Sequence, residues 1–245
     1  MKNKIITKEE ASKLFKDGMT VMIGGFLAGG CSDTVIDACK LSGAKNLTVI
    51  CNDGGTGGNA EQGIPPRGTG VLLANGQIKR LIATHIGLNP TVGKMMNEGT
   101  LEVELSPQGT MAERIRAGGA GLGGVLTPTG IGTWVENDGI LTPHGVIDPV
   151  TRGEPKKKPV VEVDGVKYLL EKPLHADIAI IHGGKVDEIG NVVYNKTMRN
   201  FNPLMAFAAD VVVVGAKEIV KRGELDPDAI VTPSVLVDYI VKEEK

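Results

Sequence analysis

Residues 20–43 read TVMIGGFLAGGCSDTVIDACKLSG. Val21-Met22-Ile23 is an apolar run without alternation, the pattern of a strand buried on both faces. The stretch Gly24-Gly25-Phe26-Leu27-Ala28-Gly29-Gly30 follows as a glycine loop. Ser32 is a good N-cap and Asp33 a good first-turn residue for a helix carrying Val35, Ile36 and Cys39, which Gly43 closes. Strand, glycine loop and helix together form the repeating unit of an α/β fold. The loop itself is either a ligand cradle or only a flexible turn.

The unit recurs in kind along the chain. Leu47-Thr48-Val49-Ile50 reads as a second strand ending at Cys51-Asn52-Asp53, and residues 80–84 as a third. Residues 101–105 alternate with period 2, and residues 111–117 read as a helix stopped by Gly118-Gly119. The runs 178–181 and 211–214 are again apolar throughout. Strands apolar on both faces and separated by helical patterns predict an α/β fold: an open, largely parallel sheet with helices on both faces. Upstream, Thr7 and Glu10 form a capping box for a helix over about 7–16, ended by Asp17-Gly18. Downstream, 233–243 with Val235, Leu236, Tyr239 and Ile240 on one face predicts a final covering helix. Residues 134–174, rich in Pro, Gly and charge, break the rhythm. Within them Val160–Val163 and Val166–Leu169 flank Asp164-Gly165 as a two-residue hairpin. We read one domain over 1–245 carrying an inserted β-hairpin flap.

Composition narrows the classes. Of 245 residues, 41% are hydrophobic but only 3% aromatic, and 34 are glycine, so the core is aliphatic and the loops tight. A net charge of −2 argues against nucleic-acid and membrane-surface partners. Lys156-Lys157-Lys158, between prolines, reads as a solvated loop. Three cysteines without metal-ligand spacing suit a reducing compartment. With no apolar run long enough for a signal peptide or a membrane span, the expected location is the cytoplasm.

Several candidate sites weaken on inspection. Gly119-Ala120-Gly121-Leu122-Gly123-Gly124 matches G-x-G-x-x-G but follows a helix, whereas a dinucleotide loop follows a strand. Gly87 to Met95 has five residues between its glycines and Met95 where a P-loop needs Ser or Thr. The histidines 85, 144, 175 and 182 are too dispersed for zinc. No G-x-S-x-G elbow occurs, and Glu136-Asn137-Asp138-Gly139 reads as a β-turn in the polar insert. Two stretches remain. Asn52 stands at a strand's carboxyl end, where α/β sheets place ligands, and its amide there is either an oxyanion donor or a turn-former. Gln108, in Ser106-Pro107-Gln108-Gly109, presents a second amide beside the open N–H groups of a helix start.

Taken together, these stretches resemble family I coenzyme A transferases, specifically their A (alpha) subunit. The family signature is Asp/Asn-Gly, two free positions, three apolar residues, Gly-Gly-Phe, three free positions, Gly, one free position and Pro. Residues Asp17 to Ser32 match it, except that Ser32 stands where the proline is expected. VELSPQGTMAERIRAGGAGLGGVLTPTGIGT (103–133) and RNFNP (199–203) also resemble family segments, so the likeness covers nearly the whole chain.

The family's other half carries Ser-Glu-Asn-Gly, whose glutamate is the nucleophile, and that motif is absent here. The resemblance therefore implies a partner beta subunit, with coenzyme A as substrate and neither a tightly bound cofactor nor a metal. It implies ping-pong transfer through a glutamyl-CoA thioester, with Asn52 stabilising the oxyanion. Gly24, Gly25, Phe26, Gly29 and Gly30 would form the lip of the acyl pocket, close to substrate and partner. Phe26 is then a pocket wall or a core anchor, and Gln108, Gly118 and Gly119 join the same pocket. Acetoacetate, acetate and butyrate are the acids implied. The rival readings are a sugar-phosphate isomerase-like enzyme and a non-catalytic ligand-sensing domain on a related scaffold.

Overall fold

The signals in residues 20–43 act as written. In the computed structural model, which describes residues 3–244, Ser32 Oγ accepts the N–H of Val35 (3.1 Å) and Gly43 takes φ 69° at the helix end. The outermost positions of the 1–245 span lie outside the described residues. In chain order the first part runs β1 (Ile5–Ile6), α1 (Lys8–Ser12), β2 (Thr20–Ile23), α2 (Asp33–Ser42), β3 (Leu47–Cys51), α3 (Thr69–Ala74), β4 (Ile78–Ala83), α4 (Pro90–Asn97), β5 (Glu102–Leu105) and α5 (Gln108–Gly119). Next come β6 (Val125–Thr127), β7 (Asn137–Asp138), β8 (Ile140–Thr142), β9 (Gly145–Ile147), β10 (Lys156–Lys157), β11 (Val160–Val163) and β12 (Val166–Glu171). The last part is β13 (Ala176–Asp187), β14 (Val192–Val193), α6 (Asn202–Phe207), β15 (Ala209–Val220) and β16 (Tyr239–Lys242).

The main sheet has the order β1-β16-β15-β13-β2-β3-β4-β5-β8-β9, with β14 paired to β13. Every pairing from β1 to β5 in that order is parallel, and β8 and β9 add an antiparallel margin. Alternate residues feed two cores. Val21, Ile23, Val49, Ile178 and Ile180 pack with Val35, Ile36, Leu72 and Val92 from α2, α3 and α4. Met22, Ile50, Ala179 and Ile181 pack with Met111 and Ile115 of α5 and Met205 of α6. Helices therefore cover both faces, as a sheet of doubly buried strands requires.

Five local expectations need correction. The covering helix over 233–243 is instead a short 3₁₀ turn at Ser234–Leu236 followed by β16. Val235 on the supposed apolar face is 85% exposed, while Ile240 and Val241 are buried between β15 and β1. The β-branched run satisfies a sheet edge that would otherwise have lacked a neighbour. The first helix keeps its capping box, with Glu10 N to Thr7 Oγ1 at 3.1 Å and Thr7 N to Glu10 Oε2 at 2.8 Å, but stops at Ser12.

The insert is not one flap. Its β8–β9 hairpin extends the main sheet, whereas β11 and β12 join β6 in a separate sheet, turning at Asp164 (φ 51°) and Gly165 (φ 77°). Glu136 to Gly139 is no β-turn: Glu136 ends a 3₁₀ turn, and β7 pairs with β10. The lysine run is likewise only partly solvated. Lys158 Nζ lies 2.7 Å from Glu171, whose side chain is 1% exposed, so it bolts the small sheet down. That pair continues inward through Arg114 and Glu104 to Arg80, a chain of charges linking β12, α5, β5 and β4.

Candidate functional site

The carboxyl ends of β2, β3, β4 and β5 lie side by side, so the segments that leave them meet along one edge of the sheet. Parallel α/β sheets hold ligands at such an edge. Asn52, directly after β3, is 1% exposed. Its Nδ2 donates to Asp53 Oδ2 (2.8 Å), and its Oδ1 accepts from Gln108 Nε2 (2.7 Å) and from Thr84 Oγ1 (3.3 Å). The orientation of the amide follows from its partners, because a flipped amide would turn its oxygen toward the Asp53 carboxylate. Two amides separated by 56 residues thus form a linked pair, with Asn52 covered and Gln108 exposed. Donation from Gln108 to Asn52 Oδ1 polarises the Asn52 amide and strengthens its N–H groups as donors.

Asp53 is the hub that the sequence reading missed. Besides Asn52 it accepts the N–H of Leu27 (2.8 Å) and of Gly55 (2.9 Å), and it is 6% exposed. Through Leu27 it fastens the glycine loop to the end of β3. That loop is a tight turn in which Phe26 and Gly29 exchange N–H···O bonds of 2.9 and 2.8 Å. Its central residues are Leu27 (φ 51°) and Ala28 (φ 61°). Left-handed backbone at a non-glycine residue costs about 1–2 kcal/mol, and the charge-assisted bond to Asp53 offsets part of it.

The loop's glycines serve their own chain. A β-carbon on Gly24 would collide with the Asn202 side chain, and one on Gly25 with Cys31 Sγ. Gly30 lies against Met198 and Asn200. Asn202, fully buried, accepts the N–H of His182 (2.9 Å) and donates to the carbonyls of Gly30 (3.0 Å) and Met198 (2.9 Å). Asn200 donates to the carbonyl of Gly29 (3.1 Å). The space beside Gly24 and Gly30 is therefore taken by the RNFNP segment and Met198 just before it, and that beside Gly25 by Cys31. Gly29 meets only its turn partner Phe26. Phe26 is 42% exposed and Leu27 45%, which removes the core-anchor reading of Phe26.

Gly118 and Gly119 fall elsewhere. They lie inside α5, about 15 Å along the helix from Gln108 at 1.5 Å per residue. A β-carbon on Gly118 would overlap the carbonyl of Leu174, and one on Gly119 would overlap Phe207. Close packing accounts for both glycines, and the residue in the left-handed helix-ending conformation is Gly121 (φ 68°). The G-x-G-x-x-G match thus overlaps a helix's carboxyl end, where no dinucleotide loop belongs.

The thiols, Asp53 and Glu136 are held in unreactive forms. Burial, with Asp53 and Asp33 adding to it, pushes the Cys31 thiol up to about 12, and burial pushes Cys39 to about 12 as well. Cys51 is raised for the same first reason. Asp53 has its oxygens occupied by three N–H donors, which leaves it a poor nucleophile. Glu136, in the insert, is held below the usual carboxylate range by the N–H of Gly132 and then by Lys157. Among the described residues no group of three or more His, Cys, Asp or Glu side chains could hold a metal ion, and no helix is long and apolar enough to cross a membrane.

The sequence profile of the Coenzyme A transferase family matches residues 5–243. The chain belongs to that family. This coenzyme A transferase chain is 47% identical over 243 residues, 99% of each chain, to the acetoacetyl-CoA:acetate/butyrate CoA transferase alpha subunit of Clostridium acetobutylicum. To the acetate CoA-transferase subunit alpha of Escherichia coli K12 it is 42% identical over 245 residues, 100% of this chain and 99% of that one. Its fold is shared with an acyl-CoA transferase of E. coli O157:H7 solved as a thioester complex with CoA, with a TM-score of 0.81 at 24% identity. There the likeness covers 98% of this chain but 47% of the other, so the transferase chain described here spans about half the length of that solved protein.

Proposed function

We infer that this chain is the alpha half of a CoA transferase that moves CoA between a short-chain acyl-CoA and a carboxylic acid of the acetoacetate, acetate and butyrate class. The observation that carries this reading is the Asn52–Gln108 amide pair, fixed by Asp53 at the carboxyl edge of the sheet, where the Asp53 carboxylate is saturated and the Cys31 thiol is held protonated. The neighbouring thiols stay protonated and Asp53 is saturated, so the attacking carboxylate must come from a second chain. The alpha-subunit relatives and the half-length match to a single-chain acyl-CoA transferase support such a partner, one bearing the Ser-Glu-Asn-Gly glutamate. The same saturation of Asp53 speaks against an isomerase acting alone, which would need its own acid–base carboxylate here.

In this reading the partner's glutamate attacks the thioester carbonyl carbon, and the carbonyl electrons move onto oxygen. The amide pair donates to that oxyanion. CoA thiolate then leaves, giving a mixed anhydride, and returns to the glutamyl carbonyl. The first acid departs as carboxylate and a glutamyl-CoA thioester remains. A second acid takes up CoA by the reverse steps. Gln108 supplies the exposed donor, and Asn52 Oδ1 holds it in place from behind.

Purification and mixing test the assignment. The isolated chain is expected to transfer no CoA and to gain activity when mixed with a chain of similar size carrying Ser-Glu-Asn-Gly. Full turnover by the lone chain overturns the subunit reading.

A further inference from the structure

The hydroxyl of Thr84 has a neighbour outside the amide pair. Thr84 directly follows β4, and its N–H (2.9 Å) and its Oγ1 (2.8 Å) both meet the carbonyl oxygen of Asn52. His85, the next residue, is half-buried, forms a parallel bridge with Asp53, and brings its Nδ1 to 3.3 Å from the same Oγ1. His85, Thr84, Asn52 and Gln108 thus form a line in which each side chain is within hydrogen-bond reach of the next.

The protons give this line a direction. A hydroxyl has one proton to donate, and a carbonyl oxygen has none. The 2.8 Å contact with the Asn52 carbonyl therefore takes the Thr84 proton, and Asn52 Oδ1 at 3.3 Å receives a share of it at most. No proton is left to donate to His85, so the imidazole donates from Nδ1 to Thr84 Oγ1. A neutral ring protonated there has a bare Nε2. That nitrogen has no partner among the described residues and is not enclosed by the protein, so it stays solvated. The Nδ1–H bond keeps the Thr84 hydroxyl aimed at the end of β3. Its loss frees that hydroxyl to turn and loosens Asn52, the residue whose Oδ1 holds Gln108.

We propose that His85 is a positioning residue for the transfer reaction: as the Nδ1–H tautomer it fixes Thr84 and, through Thr84 and Asn52, the donor amide of Gln108. The proposal rests on the functional reading above and adds a residue to it. Two measurements test it. The first is ¹⁵N NMR of the labelled full chain at a pH where its imidazoles are neutral, with the His85 signals identified by their loss in His85→Asn. The second is steady-state kinetics of the reconstituted two-chain enzyme carrying His85→Ala, His85→Asn, His85→Gln, Thr84→Val or Thr84→Val with His85→Ala. The Asn variant places an amide N–H where Nδ1–H stood, and the Gln variant places one where Nε2 stood.

The NMR spectrum should show a proton on Nδ1 of His85 and none on Nε2; the opposite tautomer overturns the proposal. In the kinetics, His85→Ala should lower kcat by about three- to tenfold, the worth of one hydrogen bond, with the KM for acyl-CoA nearly unchanged. His85→Asn should recover most of that loss and His85→Gln little of it. Once Thr84→Val has removed the hydroxyl, His85→Ala should cost nothing further, because the two residues act in series. Recovery by Gln and not by Asn would make the outer nitrogen the working atom and end the positioning role. A full additional loss in the Thr84→Val background would end it as well. A wild-type complex that transfers no CoA defeats the functional reading itself, whereas an active wild type with an unmoved kcat in His85→Ala defeats only the role of His85.

Discussion

Replacing Asn52 with Ala separates what the residue does for the fold from what it does for the reaction. In the fold the loss is contained. Asp53 keeps the N–H groups of Leu27 and Gly55, and Thr84 Oγ1 keeps its 2.8 Å bond to the Asn52 carbonyl, which the substitution leaves in place. Gln108 is exposed, so water replaces its lost acceptor. The stability cost should therefore stay near that of one or two imperfectly replaced buried hydrogen bonds, about 1–3 kcal/mol. For the reaction, the loss removes the acceptor that holds the Gln108 amide in place, and a misplaced oxyanion donor should cost up to the effect of removing one, about 10²–10³ in kcat or roughly 3–4 kcal/mol.

The assay is steady-state kinetics of the two-chain enzyme alongside thermal melting. It should show kcat falling with the KM for acyl-CoA nearly unchanged, the signature of an interaction made in the transition state. Asn52→Asp sharpens the result. It keeps the shape but sets a second carboxylate 2.8 Å from Asp53 Oδ2, a repulsion of about 6 kcal/mol at an effective dielectric constant of about 20. The pair escapes this by holding a proton. The folded state then binds more protons than the unfolded one, so this variant should lose stability as pH rises above about 4. An undiminished kcat in Asn52→Ala would refute the oxyanion role, whatever the melting temperature does.

Two further outcomes follow from packing and charge. Burial alone would raise the Glu104 carboxyl, but Arg114 at 2.9 Å and Arg80 at 2.6 Å outweigh it and hold it below the usual range. Its stabilisation is thus fully present above the ordinary glutamate pKa and is lost as pH falls through the lowered folded value. Glu104→Gln should cost about 3 kcal/mol, because it leaves the buried Arg114 only the Glu171 carboxylate at 3.9 Å, which Lys158 already shares. It should also flatten the loss of melting temperature below about pH 4.3; an acid limb as steep as in the wild type would exclude Glu104 as its source. Gly118→Ala pits two effects against each other. Helix propensity favours alanine by about 1 kcal/mol, whereas the overlap with the Leu174 carbonyl should cost about 1–3 kcal/mol, so chemical denaturation should show net destabilisation. A gain in stability would mean that α5 can move away from Leu174 freely.

What could be read directly from the sequence was local. Ser32, Val35 and Gly43 define α2 within a dozen positions, and Thr7 with Glu10 defines the start of α1, since each cap bonds within its own turn. Residues 239–242 were misread because a run such as Tyr-Ile-Val-Lys serves a helix face or a strand equally well. The choice was made by β15, a remote strand with an open edge. Gly118-Gly119 was read as a helix stop for the same reason: the Leu174 carbonyl that demands those glycines is 56 positions away from Gly118 in the chain.

The candidate site divides along the same line. Asn52 was legible because a strand's carboxyl end is a local feature, but Asp53 beside it looked like turn chemistry until Leu27 supplied the N–H that makes it a hub. Leu27 and Gln108 reach the end of β3 only because the sheet order sets β2, β3, β4 and β5 side by side. Each segment contributes one polar group too weak to signal alone, and the parallel topology gathers those groups at one edge. This is why the RNFNP segment, whose asparagines hold the glycine loop from behind, could be recognised as a motif before any structural role could be given to it.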